Sequence, residues 1–289
     1  MANTAQQTVA IIGCGTLGTA LATGILNPID KSDFNIGRLI ATVGTESSKH
    51  RVEDALSDHS SRLTVLLQQD NVHAIQEADI VVLAVKPVKR EALFAASGFR
   101  DALRNKLAIS IMAGISLKEL NRLVGAQDQQ APFQVVRAMP NMAAKIRQAV
   151  TLYTADQGTL TQDNLDTASQ VLQQIGEAQF IAEDRFDISA VLVGCAGSLL
   201  LLAVDGLLDA AVAEGVKRPE AQKMVVNSAI GMMKLVPAGD HPSVLREKIA
   251  SPGGCSIRAL LELEKLGVRS AFTTAILAAA ERSKRMSQS

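Results

Sequence analysis

With 289 residues, 47% of them hydrophobic, the chain can build one large domain or two ordinary ones with their own cores. Its 29 basic and 29 acidic side chains cancel, and one Tyr with no Trp gives no stacking platform. That argues against partnership with nucleic acid or an anionic membrane through bulk charge. Cys14, Cys195 and Cys255 are odd in number and far apart, and they share no metal-ligand spacing with the four histidines, so neither a disulfide framework nor a metal site is expected. The polar start Met1–Thr8 does not read as a secretory signal, and a reduced, cytoplasmic protein is expected.

Val9–Ile12 is a short apolar run of the buried parallel-strand type. Gly13, Gly15 and Gly18 follow at G-x-G-x-x-G spacing, and Leu17, Leu21, Ile25 and Leu26 then recur at helical intervals. Strand, glycine turn and helix stand in the order a dinucleotide site requires: the turn must be tight, backbone must approach a pyrophosphate, and the helix start offers free N–H groups. Gly13, Cys14, Gly15, Thr16, Leu17 and Gly18 are therefore assigned to the cofactor. Cys14 reads as a small packing residue, although a helix start can also activate a thiol.

The segment 27–37 is a polar connection in which Asp30 and Asp33 receive no role, and Leu39–Val43 is the second strand. The tip of that strand selects the cofactor in such folds. Here it carries Thr45, Glu46, Ser47, Ser48 and Lys49 with Arg51 behind, a set closer to a 2′-phosphate pocket than to a ribose acid, so NADP(H) is expected with NAD(H) as the alternative. Leu63–Leu66 is a third strand, and Asn71 opens an amphipathic turn ending at Glu77. Ala78–Val85 reads as the clearest strand, closed by Lys86-Pro87 at the carboxyl edge where ligands bind. Leu107–Ile111 and Gln134–Ala138 are further strands, the second leading into Met139-Pro140-Asn141, and Ala149–Tyr153 is the last. Ser116 and Glu119 have the spacing of a capping box.

Strands alternating with helices to residue 154 predict a doubly wound, Rossmann-like α/β domain over 1–158. From 159 to 289 the pattern is helical throughout: one helix after Thr161, a long apolar one over 188–214, then 219–235, 242–250 and a final stretch over 258–284 interrupted near Gly267. The uncharged run 188–204 approaches membrane-spanning length, but Glu183, Asp184, Arg185 and Asp187 precede it and Asp205 and Asp209 follow, so it is read as a core or subunit-interface helix.

Four stretches carry a family likeness: Gly13–Gly18, Ala84-Val85-Lys86-Pro87, Met139-Pro140-Asn141, and His241-Pro242 leading to Ser251-Pro252-Gly253-Gly254-Cys255-Ser256. In this order and at these separations, and with Ile257, Ala259, Leu260, Glu264, Gly267, Arg269 and Ala271 after the last, the chain resembles the pyrroline-5-carboxylate reductase family over nearly its whole length. The resemblance implies a Rossmann-like domain followed by an all-helical dimerisation domain, homodimers that build larger rings, and reduction of the cyclic imine 1-pyrroline-5-carboxylate to proline with NAD(P)H. It adds Asn71, Ala84–Pro87, Ile111, Met112 and Ala113 to the cofactor set and assigns Gly253, Gly254, Cys255, Ser256 and Asn141 to the substrate. Ser256 occupies the position of a family threonine near the imine nitrogen. A hydroxyl there can donate to the developing amine or orient a water, but it is a poor proton source, so its role is positioning.

The substrate-side motifs depart from the family pattern. Met142-Ala143-Ala144-Lys145-Ile146-Arg147 replaces Thr-Pro and glycine-bearing residues, the long helix carries Val193-Gly194-Cys195-Ala196-Gly197-Ser198, and Cys255-Ser256 replaces Thr-Thr. A related cyclic imine, or a non-catalytic nucleotide-binding paralogue, is the alternative reading, and Lys145 and Arg147 are candidate contacts to a substrate carboxylate. A β-hydroxyacid dehydrogenase would carry a Lys on the long helix, and 188–214 has none.

Overall fold

A computed structural model describes residues 6–28, 36–125, 133–156 and 158–288. Residues 1–5, Asp30 and Asp33 lie outside the described residues. In the first part of the chain, strands β1 (Gln7–Ile12), β2 (Ile36–Val43), β3 (Leu63–Leu67), β4 (Ile80–Leu83), β5 (Leu107–Ser110), β6 (Gln134–Pro140), β7 (Ala149–Ala155) and β8 (Gly176–Phe180) form one sheet. Between them run helices α1 (Thr16–Leu26), α2 (Glu46–Ala55), α3 (Asn71–Gln76), α4 (Arg90–Ala95), α5 (Phe99–Leu103), α6 (Leu117–Val124) and α7 (Gln162–Gln173). The strand order is β3-β2-β1-β4-β5-β6-β7-β8. Neighbours pair in parallel except β6 with β7. The order reverses between β1 and β4, which makes their carboxyl ends the crevice of the fold.

Continuous apolar runs in β1 and β4 follow from burial on both faces. Val9, Ile11, Ile80 and Val82 pack in one core with residues of α1 and α7. Ala10, Ile12, Val81 and Leu83 pack in the other with residues of α3, α5 and α6.

Three expectations change. The strand expected over 78–85 ends at Leu83, and Ala84 adds one backbone bond to Ile12 (2.8 Å) before the chain leaves the sheet. The capping box is half formed: Ser116 Oγ accepts from the Glu119 N–H at 3.2 Å, but the Glu119 carboxylate turns to Arg90 and Arg122. Ala149–Ala155 is not the last strand, because β8 continues the sheet beyond it. β8 carries no β-branched residue and lies half exposed at the sheet edge, so no apolar alternation marks it. Gly176 opens it at φ +143°, where a Cβ would stand 2.1 Å from the Ala149 carbonyl oxygen.

The region beyond 159 is therefore not all helical. One compact unit runs to Gly194 and includes the chain end from Arg282, and the other is Cys195–Glu281. The long helix α8 (Glu183–Ala213) begins in the first and continues into the second. The second unit also contains α9 (Arg218–Lys234), α10 (Pro242–Ile249), α11 (Cys255–Lys265) and most of α12 (Val268–Gln288). α8 is the one helix among the described residues long and apolar enough to cross a membrane, yet only 11% of its apolar window is buried within the chain. It is not a core helix. Leu201 and Leu202 are 67% and 71% exposed, an apolar face of the kind that marks an interaction surface.

Candidate functional site

The carboxyl ends of β1, β2 and β4 open onto a cleft of about 680 Å³. Gly13, Cys14 and Gly15 form its floor; Gly44, Thr45, Ser48, Arg51, Gln68 and Asn71 line one side, and Ala84, Val85, Lys86 and Lys89 the other. Gly13 adopts φ +86°, and a Cβ there would lie 2.6 Å from Val85 Cγ1 and 3.0 Å from Val85 Cα and N. This glycine lets the ends of β1 and β4 close on each other. Gly15 is different: its φ is −84°, and the nearest atom to an added Cβ is the Gly13 oxygen at 3.9 Å. The space beside Gly15 is open, as close approach by a ligand requires.

Hydrogen bonding separates the turn amides into two groups. The Gly13 and Cys14 N–H groups donate to the Thr42 carbonyl (3.1 and 2.7 Å), and Gly15 N–H donates to Gly13 (2.7 Å). The first helical bond of α1 is from Thr19 N–H to Gly15 (2.8 Å), so the amides of Thr16, Leu17 and Gly18 precede the helical ladder. Gly15, at the N-cap, brings no side chain to cap them. Thr16, Leu17 and Gly18 do not line the cleft with side chains; they present uncapped N–H groups at a positive helix end.

Cys14 is 1% exposed, and burial pushes its thiol up to about 11 despite a contact to Thr19 Oγ1 at 3.7 Å. Packing wins over activation by the helix start. At the tip of β2, Thr45 Oγ1 caps α2 by accepting from the Ser48 N–H at 3.2 Å. Thr45, Ser48 and Arg51 face the cleft, whereas Ser47 and Lys49 do not. Among the described lining residues none is acidic, and Arg51, Lys86 and Lys89 are basic. Such a lining suits several phosphate charges and offers no carboxylate to a ribose diol. The amide oxygen of Asn71 is buried with no hydrogen-bond partner among the described residues, and a ribose or adenine donor would satisfy it.

Other assigned residues do not present side chains to the cleft. Pro87 begins a short 3₁₀ turn and does not line the cleft. Ile111 and Met112 are 7% and 2% exposed and belong to the core, because the chain after β5 keeps both side chains turned inward; only Ala113 of that trio is exposed. Arg147 is not free for a substrate carboxylate. It takes φ +58° and spends its guanidinium on the carbonyls of Gln174 (3.1 Å) and Asn27 (2.5 Å). Lys145 is exposed on the same turn. Gln68 and Lys89 were not singled out from the sequence, since nothing in their local pattern separates them from surface residues.

Asn141 caps the 3₁₀ turn after β6, its Oδ1 accepting from the Ala143 N–H at 3.3 Å. In the second unit the helix expected from about 258 begins at Cys255. Gly253 sits at φ +72° and Gly254 at the N-cap without a capping side chain, so Cys255 and Ser256 occupy the exposed first turn of α11. No group of three or more His, Cys, Asp or Glu residues that could hold a metal occurs among the described residues.

Comparison with known proteins matches residues 183–286 to the pyrroline-5-carboxylate reductase dimerisation model and 8–114 to the coenzyme F420-dependent NADP oxidoreductase model. Similar proteins include a pyrroline-5-carboxylate reductase of Lophium arboricola, 33% identical over 96% of this chain and 93% of that protein. That of Neurospora crassa is 34% identical over 95% and 91%. Among solved structures, the Plasmodium falciparum pyrroline carboxylate reductase with NADP bound aligns with TM-score 0.80 at 26% identity, covering 97% of this chain and 98% of that one. The Streptococcus pyogenes enzyme aligns at 0.81 and 26%, covering 97% and 99%. The dimerisation model covers α8 to α12, where the exposed leucines lie, which supports homo-oligomerisation through that segment.

Proposed function

The chain belongs to the pyrroline-5-carboxylate reductase family, and on that premise we propose that it reduces 1-pyrroline-5-carboxylate to L-proline with NADPH as a cytoplasmic homodimer or ring of dimers. The observation that carries the cofactor reading is the acid-free, Arg51- and lysine-bearing cleft in front of the uncapped start of α1. When bound, the dinucleotide supplies a hydride to the imine carbon. The amides of Thr16, Leu17 and Gly18 hold its pyrophosphate, and Thr45, Ser48 and Arg51 hold the 2′-phosphate. Asn71 and Ala84–Lys86 fix the remaining nucleotide, and Ala113 belongs to the same edge.

Reduction of a C=N bond requires a proton on nitrogen, a hydride on carbon and a fixed orientation; it requires no metal and no protein nucleophile. Ser256 Oγ orients the nitrogen or a water beside it. The amides that open α11 after Gly253 and Gly254, with Cys255, receive the carboxylate end of the substrate; Asn141 is a further proposed substrate contact. The departure of Met142–Arg147 from the family pattern supports a related cyclic imine as the second reading.

NADPH oxidation measured with five- and six-membered cyclic imines, with and without a carboxylate, tests the proposal. The five-membered carboxylate is expected to give the highest kcat/KM. Ser256→Ala is expected to lower kcat about 10- to 100-fold, the worth of a hydrogen bond to a charged group, with NADPH affinity nearly unchanged. Unaltered kinetics in that variant removes Ser256 from the site, and binding of NADPH without turnover of any imine removes the enzyme reading.

A further inference from the structure

We infer that Arg137 is a positioning residue: the ion cluster of its buried guanidinium with Glu183 and Asp187 orders the segment 139–147 that presents Asn141 to the substrate. The inference rests on the role proposed for Asn141. Arg137 stands on β6 between Ser110 of β5 and Thr154 of β7, with its side chain only 5% exposed. Its Nη1 donates to Glu183 Oε1 at 2.8 Å and its Nη2 to Asp187 Oδ1 at 2.5 Å. The guanidinium carbon lies 4.1 Å from the Phe186 ring centroid. Glu183 Oε1 also accepts from the Leu117 N–H at 3.0 Å. One arginine thus ties β6 to the first two turns of α8, and through Glu183 to the start of α6.

Apolar side chains in place of the whole cluster would fill this space at least as stably, because desolvating a guanidinium and carboxylates offsets much of their attraction. What the charged cluster adds is a single permitted register. Side chains alternate along a strand, so Arg137 and Met139 share a face, and Asn141 follows directly on the strand end at Pro140. Met139 Cε is 3.9 Å from the position a Cβ would take on Gly194, so this face continues along α8. Fixing Arg137 against Glu183 and Asp187 therefore fixes where β6 ends and where the turn capped by Asn141 begins.

Two variants in the full chain test this: Arg137→Met, and the charge-free combination of Arg137→Met with Glu183→Gln and Asp187→Asn. The single variant takes the arginine from two partly buried carboxylates and is expected to lose thermal stability. The combined variant is expected to recover it. In both, hydrogen-exchange mass spectrometry is expected to show exchange across 139–147 faster by about tenfold, with residues 13–18 unchanged. The KM for the imine is expected to rise about tenfold while the NADPH Kd stays within about twofold, and Arg137→Lys is expected to restore part of the loss. Unchanged exchange across 139–147 in the combined variant overturns the inference, as does a parallel loss of NADPH affinity. Absence of imine turnover in the unmodified enzyme sinks the proposed function alone, because the exchange measurement still decides the ordering role.

Discussion

Gly13 and Gly15 sit two residues apart in one turn, yet the structure predicts opposite consequences for an added methyl group. At Gly15 the new Cβ meets nothing nearer than 3.9 Å and φ is an ordinary −84°. The folded chain loses only the difference between Gly and Ala at an N-cap, below about 1 kcal/mol. That shifts Tm by less than about 4 °C in a chain of this size. The methyl instead occupies the space a pyrophosphate needs to reach the amides of Thr16, Leu17 and Gly18. Hydrogen bonds to a charged group contribute about 1.5–3 kcal/mol each, so holding the phosphate off one or two of them costs about 3 kcal/mol, or roughly 100-fold in Kd. At Gly13 the order reverses. A Cβ at φ +86° and 2.6 Å from Val85 Cγ1 combines left-handed strain with overpacking, about 2–4 kcal/mol of stability. Fluorescence titration with NADPH and thermal unfolding of Gly13→Ala and Gly15→Ala separate the two. Equal Tm losses in both variants, or wild-type NADPH affinity in Gly15→Ala, would refute the division between a packing glycine and a ligand-approach glycine.

Three further outcomes are expected. Arg51→Gln should raise the Kd for NADPH about 10-fold or more by removing a charge-assisted bond, while NADH affinity is held, so the ratio of the two constants reads the 2′-phosphate role. Glu119 is held below the ordinary carboxylate range first by its hydrogen bond from Arg122, and it also meets Arg90, which donates to the Pro87 carbonyl at 3.4 Å. Its stabilising contribution is therefore complete above the unfolded value of 4.5 and is lost as pH falls through the lower folded value. Below pH 4.5, unfolding should respond less to acid in Glu119→Gln than in the unmodified chain, and an identical pH profile would dismiss the pair. Leu202→Glu puts a carboxylate on a face expected to meet a second copy, where unpaired burial costs about 3 kcal/mol or more; light scattering should then show smaller species, and an unchanged assembly mass would place the interface elsewhere.

The nucleotide half of this protein is written locally in the chain. An apolar run, three glycines at fixed spacing and a helical repeat are all short-range patterns, and β1, the turn and α1 appear where they predict. The tip of β2 is equally local: the sequence names Thr45, Ser47, Ser48, Lys49 and Arg51 together, and of these Thr45, Ser48 and Arg51 line the cleft. α11 begins three residues before its pattern predicts because Cys255 and Ser256 carry no strong helix signal, yet the Gly-Gly break before them is plain.

Other features were decided by long-range packing. β8 has no apolar alternation of its own and becomes a strand only because β7 offers it an edge to pair with. Arg147 looked like a free cation until the fold brought the carbonyls of Gln174 and Asn27 to it, 27 and 120 residues away in sequence. Ile111 and Met112 share a motif with Ala113, but burial sends the first two into the core. Arg137 meets Glu183 and Asp187 across 46 and 50 residues, a pairing that no periodicity announces. Sequence determined the turn and the charge of the nucleotide cleft because backbone geometry and side-chain chemistry are properties of neighbours. Tertiary structure alone decided which polar groups were already engaged, because engagement depends on distant segments coming within hydrogen-bonding range.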